Sequence, residues 1–343
     1  MKAVYKLRGE PGAVEVRSAS QPEPGPEEIL VKVGAGAICG SDIHIWHYAR
    51  GFEYIKPPLI LGHEFVGTIV GKGAEVTDFQ VGDRVISEAV HYCGRCLPCR
   101  LGQTNICENF RIIGIHFDGG FAEYAKLKAH YAHKVPASLD DQNAALVEPV
   151  TVAVHAVYAN ADFGPKDVVL VTGSGPIGLL VAQAARTRGT DRIIVTGLDS
   201  DEEKRLSAAR ALGFRAVNIQ RETLRDVVME MSDGHGADVA FEASGSTRAF
   251  VENIDLLRKG GRMVIIGYPS QNAEIFATPI IRKEITLQGN ISGQWKHFEM
   301  AIELMTRGRI KTDFLITRFG LEDALPALEA AAGRDVLKAV LVP

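Results

Sequence analysis

Five cysteines occur in 343 residues, and four of them, Cys93, Cys96, Cys99 and Cys107, share the segment HYCGRCLPCRLGQTNIC. Their spacing, C-x2-C-x2-C-x7-C, lets four thiolates converge on one tetrahedral ion. Such a closed set suits structural zinc and leaves no position for a substrate. A bacterial ferredoxin run shares the first three cysteines, but its fourth follows after three residues and precedes proline. Here the fourth follows after seven and precedes Glu108. The fifth, Cys39, stands apart in AICGSDIH. With the adjacent His63 and Glu64 of LILGHEFVG it offers sulfur, imidazole and carboxylate to a second metal. Ser41, Asp42 and His44 follow Cys39 at once, placing a hydroxyl beside that metal position and a titratable imidazole that could pass a proton to solvent. Glu148 adds a carboxylate within ALVEPVTVAVHA, an apolar setting where an unpaired charge is costly and a metal would explain it.

A second kind of chemistry lies in VVLVTGSGPIGLLVAQAA, where Gly173, Gly175 and Gly178 form G-x-G-x-x-G directly after an apolar strand, with Pro176 and Ile177 opening a helix. Gly173 serves the tight turn, Gly175 the approach of backbone to a pyrophosphate, and Gly178 close packing of helix on strand. The helix N-terminus contributes amides and a favourable dipole for phosphate. An acidic residue about twenty positions on holds the adenosine ribose in such sites, and Asp199 is the candidate. The run DSDEE around it would repel a 2'-phosphate, which favours NAD over NADP. Ser200 and Glu203 also match an S-x-x-E capping box, a role that needs no ligand.

These residues must be held by two kinds of element. The first part of the chain alternates short β-runs (AVEVRSA, EEILVKV, GTIVGKG, GDRVI) with turn signals, which predicts a mostly antiparallel β domain with chemistry on its loops. From about residue 165 apolar strands alternate with helical stretches, the pattern of a doubly wound parallel sheet, so the fold class is α/β. A length of 343 residues favours two domains. A net charge of −4 argues against nucleic acid or an anionic membrane surface as partner and leaves a small molecule. The N-terminus MKAVYKLRGEPG has no apolar signal core and no run is long enough to span a bilayer, which points to the cytoplasm. In a reducing compartment, clustered cysteines are more often metal ligands than disulfides.

In this order, GHEFVGTIV, VGDRV, the four-cysteine lobe, GGFAEY at 119–124 and the glycine turn resemble a zinc-dependent medium-chain dehydrogenase of the alcohol dehydrogenase superfamily, over essentially the whole chain. CGSDIHIW and EPVTVAVHA are closest to its sorbitol and L-threonine 3-dehydrogenase branch. The resemblance implies a GroES-like catalytic domain, residues 1–153 plus 288–343 with a structural-zinc lobe at about 91–110, and a Rossmann NAD-binding domain over 154–287. It implies two zincs per chain. One is catalytic, on Cys39 and His63 with Glu64 and Glu148 each a ligand or just behind one; the other is structural, on the four-cysteine lobe. Ser41 and His44 become a proton relay, Asp42 a residue that orients a ligand, and the assembly a homotetramer.

The chain also departs from that branch. The loop after the second Rossmann strand is longer than in the sorbitol-like enzymes, so that Gly197 takes the usual ribose-aspartate position. Ile45 stands where those enzymes have a pocket tyrosine, and NISGQWKHFE at 290–299 lacks their nearby arginine. Trp46, Tyr48, Arg50, Trp295 and Phe298 are alternative pocket residues. The implied reaction is reversible oxidation of a secondary alcohol, polyol or L-threonine-like, to its ketone by hydride transfer to NAD. The alternatives are a ketone reductase, a dehydrogenase of a phosphorylated or amino polyol, and a non-catalytic NAD-binding module.

Overall fold

A computed structural model describes all 343 residues. The chain forms two compact units: residues 1–149, 292–308 and 312–343 make one, and residues 150–291 with 309–311 make the other.

In the first unit a single long strand, Glu28–Ala37, organises a seven-stranded sheet. Glu64–Lys72 pairs with it antiparallel along one edge, while Tyr124–Lys128 and Lys338–Val342 divide the other edge between them. Alternation in EILVKV sends Ile29, Val31 and Val33 into a core with Phe65, Ile69, Val85 and Leu127. The expected antiparallel character holds for most pairs; Ile316–Gly320 and Lys338–Val342 are parallel. Two register facts matter for chemistry. Ala37 faces Glu64 across one ladder and Val340 across the other, so the far C-terminal strand enters beside the residues that follow Ala37 and precede Phe65. The segment 119–121 is laid against 60–62 by backbone bonds, Gly119 N to Ile60 O, Gly120 N to Gly62 O and Phe121 N to Leu61 O, each 2.8–2.9 Å. That close approach accounts for the glycines of GGFAEY and fixes the chain entering His63.

The second unit is a six-stranded parallel sheet in the order Arg215–Asn218, Ile193–Gly197, Val169–Thr172, Ala237–Glu242, Leu257–Ile265, Thr286–Gly289. In chain order this is 3-2-1-4-5-6, the doubly wound arrangement whose switch point lies beyond Val169–Thr172. The three central strands (VLVT, IIVTG, ADVAFE) are largely apolar and almost wholly buried, as a sheet covered on both faces requires. Gly173 has φ +105°, a conformation open to glycine, and the helix Pro176–Thr187 begins at once with Pro176 in its first turn.

A Cβ on Gly178 would lie 1.8 Å from the carbonyl oxygen of Gly173, so helix and turn leave no room for a methyl group. Gly178→Ala is therefore expected to cost about 1–3 kcal/mol of stability, read as a lower urea midpoint, and to weaken nucleotide binding. An unchanged midpoint would show that the turn has slack.

Candidate active site

Cys39 ends the strand-to-helix passage of the first unit and caps the short helix Gly40–Trp46, which carries Ser41, Asp42 and His44. Asp42 is fully buried; its Oδ2 accepts the Cys39 N–H at 2.9 Å, and its Oδ1 lies 3.8 Å from His63 Nδ1. One carboxylate thus faces both the backbone of Cys39 and the ring of His63. The ligand atoms of Cys39, His63 and Glu64 all lie within 4.8 Å of one another. Glu148, buried in the first turn of the helix Val147–Tyr158, stands outside that trio but close enough to interact electrostatically with His63 and Glu64.

One partner was not visible in the sequence. Lys338, buried at the start of the last strand, donates from Nζ to Glu64 Oε1 at 2.8 Å and lies 2.7 Å from Oε2. Burial alone would lower its pKa, yet Glu64 and then Cys39 hold it above the ordinary lysine value. Burial also opposes the charge on His63, and Asp42 with Cys39 outweighs it to keep the imidazole well above 6.5. Glu148 is pushed up to about 7 by burial, against the pull of His63. Asp42 is likewise raised by burial.

These groups fit a metal on their own chemistry. Ser41 Oγ, Asp42 Oδ1, His63 Nδ1 and Glu64 Oε2 are all buried without a hydrogen-bond partner, although Glu64 Oε2 keeps its ion-pair contact with Lys338. Unpartnered buried polar atoms are rare, and a soft sulfur, an imidazole and a carboxylate form a zinc donor set. The second set is equally compact. The four sulfurs of Cys93, Cys96, Cys99 and Cys107 lie within 4.8 Å of one another and form no disulfide. Amides of Cys93 and Asn109 donate to Cys107 Sγ at 3.2 and 3.3 Å. Backbone N–H groups of Arg95 and Cys96 draw the Cys93 thiol down to about 6, which favours the thiolate a metal needs. Burial pushes Cys99 up to about 12 in the same cluster, the cost a cation would offset.

The nucleotide residues all belong to the second unit. Gly173, Gly175, Pro176, Ile177 and Gly178 form the turn and first helical turn, and open space surrounds the Cβ position of Gly175. Asp199 lies just past the strand Ile193–Gly197, half-exposed, with Oδ1 accepting from Asn218 Nδ2 at 2.9 Å and Arg221 Nε at 2.6 Å. Gly197 is hemmed in, since a Cβ there would meet Ser174 Oγ at 2.7 Å. The S-x-x-E box from Ser200 to Glu203 does not set the turn: Leu198 N–H donates to Asp201 Oδ2 at 3.0 Å, which puts Asp201 in the position expected of Glu203. Nor is DSDEE an uncompensated negative run. Asp199 pairs with Arg221, Asp201 with Arg205 and Glu202 with Arg210.

Several expected pocket residues make packing contacts. Ile45 and Phe298 are fully buried, Phe298 stacked on His133. Tyr48 lies over the Lys6 ammonium at 6.0 Å, and Trp46 packs on the apolar core. His44 stacks on Phe52 at 5.1 Å.

Comparison with known proteins agrees with this geometry. Residues 25–137 match the alcohol dehydrogenase GroES-like domain and residues 176–307 the zinc-binding dehydrogenase family. The chain is 37% identical to a sorbitol dehydrogenase of Halalkalibacterium halodurans, covering 100% of this chain and 99% of that one. It is 35% identical to an L-threonine 3-dehydrogenase of Klebsiella pneumoniae, covering 99% of each. A zinc-binding dehydrogenase of Sinorhizobium meliloti bound to NADP superposes with a TM-score of 0.92 at 32% identity, covering 100% of this chain and 99% of that one. Full-length similarity at this level, together with the two compact donor sets and the glycine turn, makes the chain a member of the zinc-dependent medium-chain dehydrogenases of the alcohol dehydrogenase superfamily.

Proposed function

We propose that this protein interconverts a secondary alcohol, a polyol or an L-threonine-like hydroxy compound, and its ketone by hydride transfer to and from NAD. The observation that carries this reading is the compact trio of half-buried Cys39 with buried His63 and Glu64, at which Ser41 Oγ, Asp42 Oδ1, His63 Nδ1 and Glu64 Oε2 are buried without a hydrogen bond. A zinc ion on Cys39, His63 and a carboxylate from Glu64 or Glu148 would supply Lewis acidity that lowers the pKa of the alcohol oxygen, and bound NAD would supply the hydride acceptor. A second zinc on Cys93, Cys96, Cys99 and Cys107 would fasten the lobe and take no part in turnover. The substrates follow the sorbitol and threonine relatives.

The chain's own residues do the rest. Asp42 holds Cys39 through its amide and faces His63 Nδ1, so that it fixes the ring and leaves the other nitrogen for metal. Lys338 engages Glu64, which makes Glu148 the carboxylate free to change between bound and released states. The Ser41 hydroxyl would accept the proton released from the alcohol while giving its own towards His44, one turn along the helix, whose neutral imidazole accepts it and returns it to solvent. Gly173, Gly175, Pro176, Ile177 and Gly178 cradle the pyrophosphate at the helix N-terminus. Asp199 keeps Oδ2 for a ribose hydroxyl.

Association of copies fits the second unit, whose edge strand Thr286–Gly289 has one neighbour and lies near exposed Tyr268, Phe276 and Ile281 in sequence. The homotetramer of the branch is proposed on that basis. No helix is long and apolar enough to cross a membrane.

The deciding experiment follows NADH formation with L-threonine, pentitols, hexitols and inositols, with and without a chelator, alongside metal analysis. Chelator-sensitive turnover of one compound and two zincs per chain are expected. Cys39→Ser should abolish turnover while NADH binding persists; loss of NADH binding with it would make Cys39 a residue of the fold. Inactivity of the whole panel with no zinc bound would overturn the reading.

Removing one member of a buried ion pair strands the other, at a cost of about 3–5 kcal/mol. Lys338→Met should lower stability by that amount in urea unfolding, and Lys338→Met with Glu64→Gln should recover most of it. Equal loss in the single and double variants would show that Lys338 acts by packing.

Desolvation, then the nearby His47, holds His44 below the ordinary 6.5. The imidazole is therefore neutral at pH 7 and accepts a proton. Alcohol oxidation should decline as pH falls through that lowered value, and His47→Asn should move the limb upward. His44→Asn should erase it and lower kcat by about 10²–10⁴. A limb indifferent to both changes would remove His44 from the relay.

A further inference from the structure

The end of the strand Ile193–Gly197 is where a bound dinucleotide places its adenosine ribose, and there an acid, Asp199, and an arginine, Arg221, stand together. Both donors to Asp199, Asn218 Nδ2 and Arg221 Nε, reach the same oxygen, Oδ1, which leaves Oδ2 without a side-chain donor. Because Arg221 uses Nε for this contact, its two terminal nitrogens remain as a planar fork on a side chain that is 59% exposed. Such a fork matches phosphate oxygens in shape and charge.

The neighbouring charges allow it. Asp201 is taken by Arg205 at 3.3 Å and Glu202 by Arg210 at 2.7 Å, so of the run DSDEE only Glu203 has no arginine of its own. Glu202 is further held by Asn218 Nδ2 at 2.9 Å, which turns it toward the neighbouring strand. The strand's own last residue cannot supply the excluding carboxylate either. At Gly197 even a methyl group would press on Ser174 Oγ at 2.7 Å and Leu206 at 3.0 Å.

We propose that Arg221 makes this a dual-cofactor site: Asp199 Oδ2 accepts from the ribose hydroxyls of NAD, and the free fork of Arg221 receives the 2'-phosphate of NADP. The inference rests on the dinucleotide reading of the glycine turn and extends it to the choice of cofactor. Asn218 holds Asp199 without help from Arg221, so the two functions are separable.

Titration of NADH and NADPH by nicotinamide fluorescence, with no alcohol present, tests this directly on the wild type, Arg221→Ala and Arg221→Lys. The wild type should bind both nucleotides with Kd values within about tenfold. Arg221→Ala should weaken NADPH at least tenfold and NADH less than twofold, with Arg221→Lys between, because an ammonium keeps the charge and loses the fork. Binding of NADPH should also fall more steeply with salt than that of NADH. Two results overturn the inference while leaving the dehydrogenase intact. One is wild-type NADPH binding more than a hundredfold weaker than NADH; the other is equal weakening of both nucleotides in Arg221→Ala, which would make Arg221 only a support for Asp199. If neither nucleotide binds, the reading of the glycine turn fails and the inference with it.

Discussion

A glutamate and a lysine sealed together, Glu64 with Lys338, set the terms for the metal-site cluster. Neither charge has water to fall back on, and each is tolerable only while the other is in place. Their meeting is a consequence of sheet register. Glu28–Ala37 binds one strand on each edge at Ala37, so the residue leading one neighbour and the residue opening the other arrive side by side. Because side chains alternate along a strand, a one-residue slip on either ladder would turn Lys338 or Glu64 to the opposite face. The apolar alternation of Ile29, Val31 and Val33 guards against that slip, since it would expose the whole core row. Core packing and the charge pattern around Cys39 and His63 are thus one constraint.

That constraint also explains what could be seen in the sequence and what could not. The four-cysteine lobe was legible because all four sulfurs come from one short loop, where spacing alone decides whether they converge. The glycine turn was legible because its requirements are local and steric: a positive φ at Gly173 and contact at Gly178. Residue type alone nominated Cys39 with the adjacent His63 and Glu64, but their convergence is tertiary: Cys39 caps the helix Gly40–Trp46, while His63 and Glu64 enter the strand Glu64–Lys72. Lys338 was missed because nothing in KAVLVP marks its lysine as buried; the pairing of its strand with Glu28–Ala37 does so, bringing it to Glu64 across 274 residues. Aromatic residues misled for the opposite reason. Trp46, Tyr48 and Phe298 had the right type for a pocket, but burial is a tertiary property: Phe298 is fully buried against His133, and Trp46 and Tyr48 pack on the apolar core.

The acidic run after Gly197 shows the same limit in electrostatic form. Counting charges along DSDEE gives a strongly negative surface, while the fold brings Arg205, Arg210 and Arg221 to three of the four acids. Of these only Arg205 lies at the i+4 spacing that a helix makes visible in sequence. Arg221 comes from the segment after the adjacent strand Arg215–Asn218, and parallel pairing of Gly197 with Asn218 is what carries it to Asp199. Local charge in a protein is a sum over neighbours in space.

Asp42 shows how few side chains can discipline a reactive centre. Its carboxylate is fully buried, and burial raises its pKa, so keeping it ionised depends on what surrounds it. The two groups it faces, the Cys39 amide and the His63 ring, are parts of the site itself. Stabilising Asp42 and orienting Cys39 and His63 are therefore the same interactions, and neither residue can drift without leaving a buried charge less satisfied. Lys338 imposes the equivalent penalty on Glu64. Glu148 carries no such tether from either, and with burial pushing it up to about 7 it is the carboxylate whose charge is least firmly held. That three groups are held by buried partners and a fourth by none is thus a difference set by the fold and not by residue type.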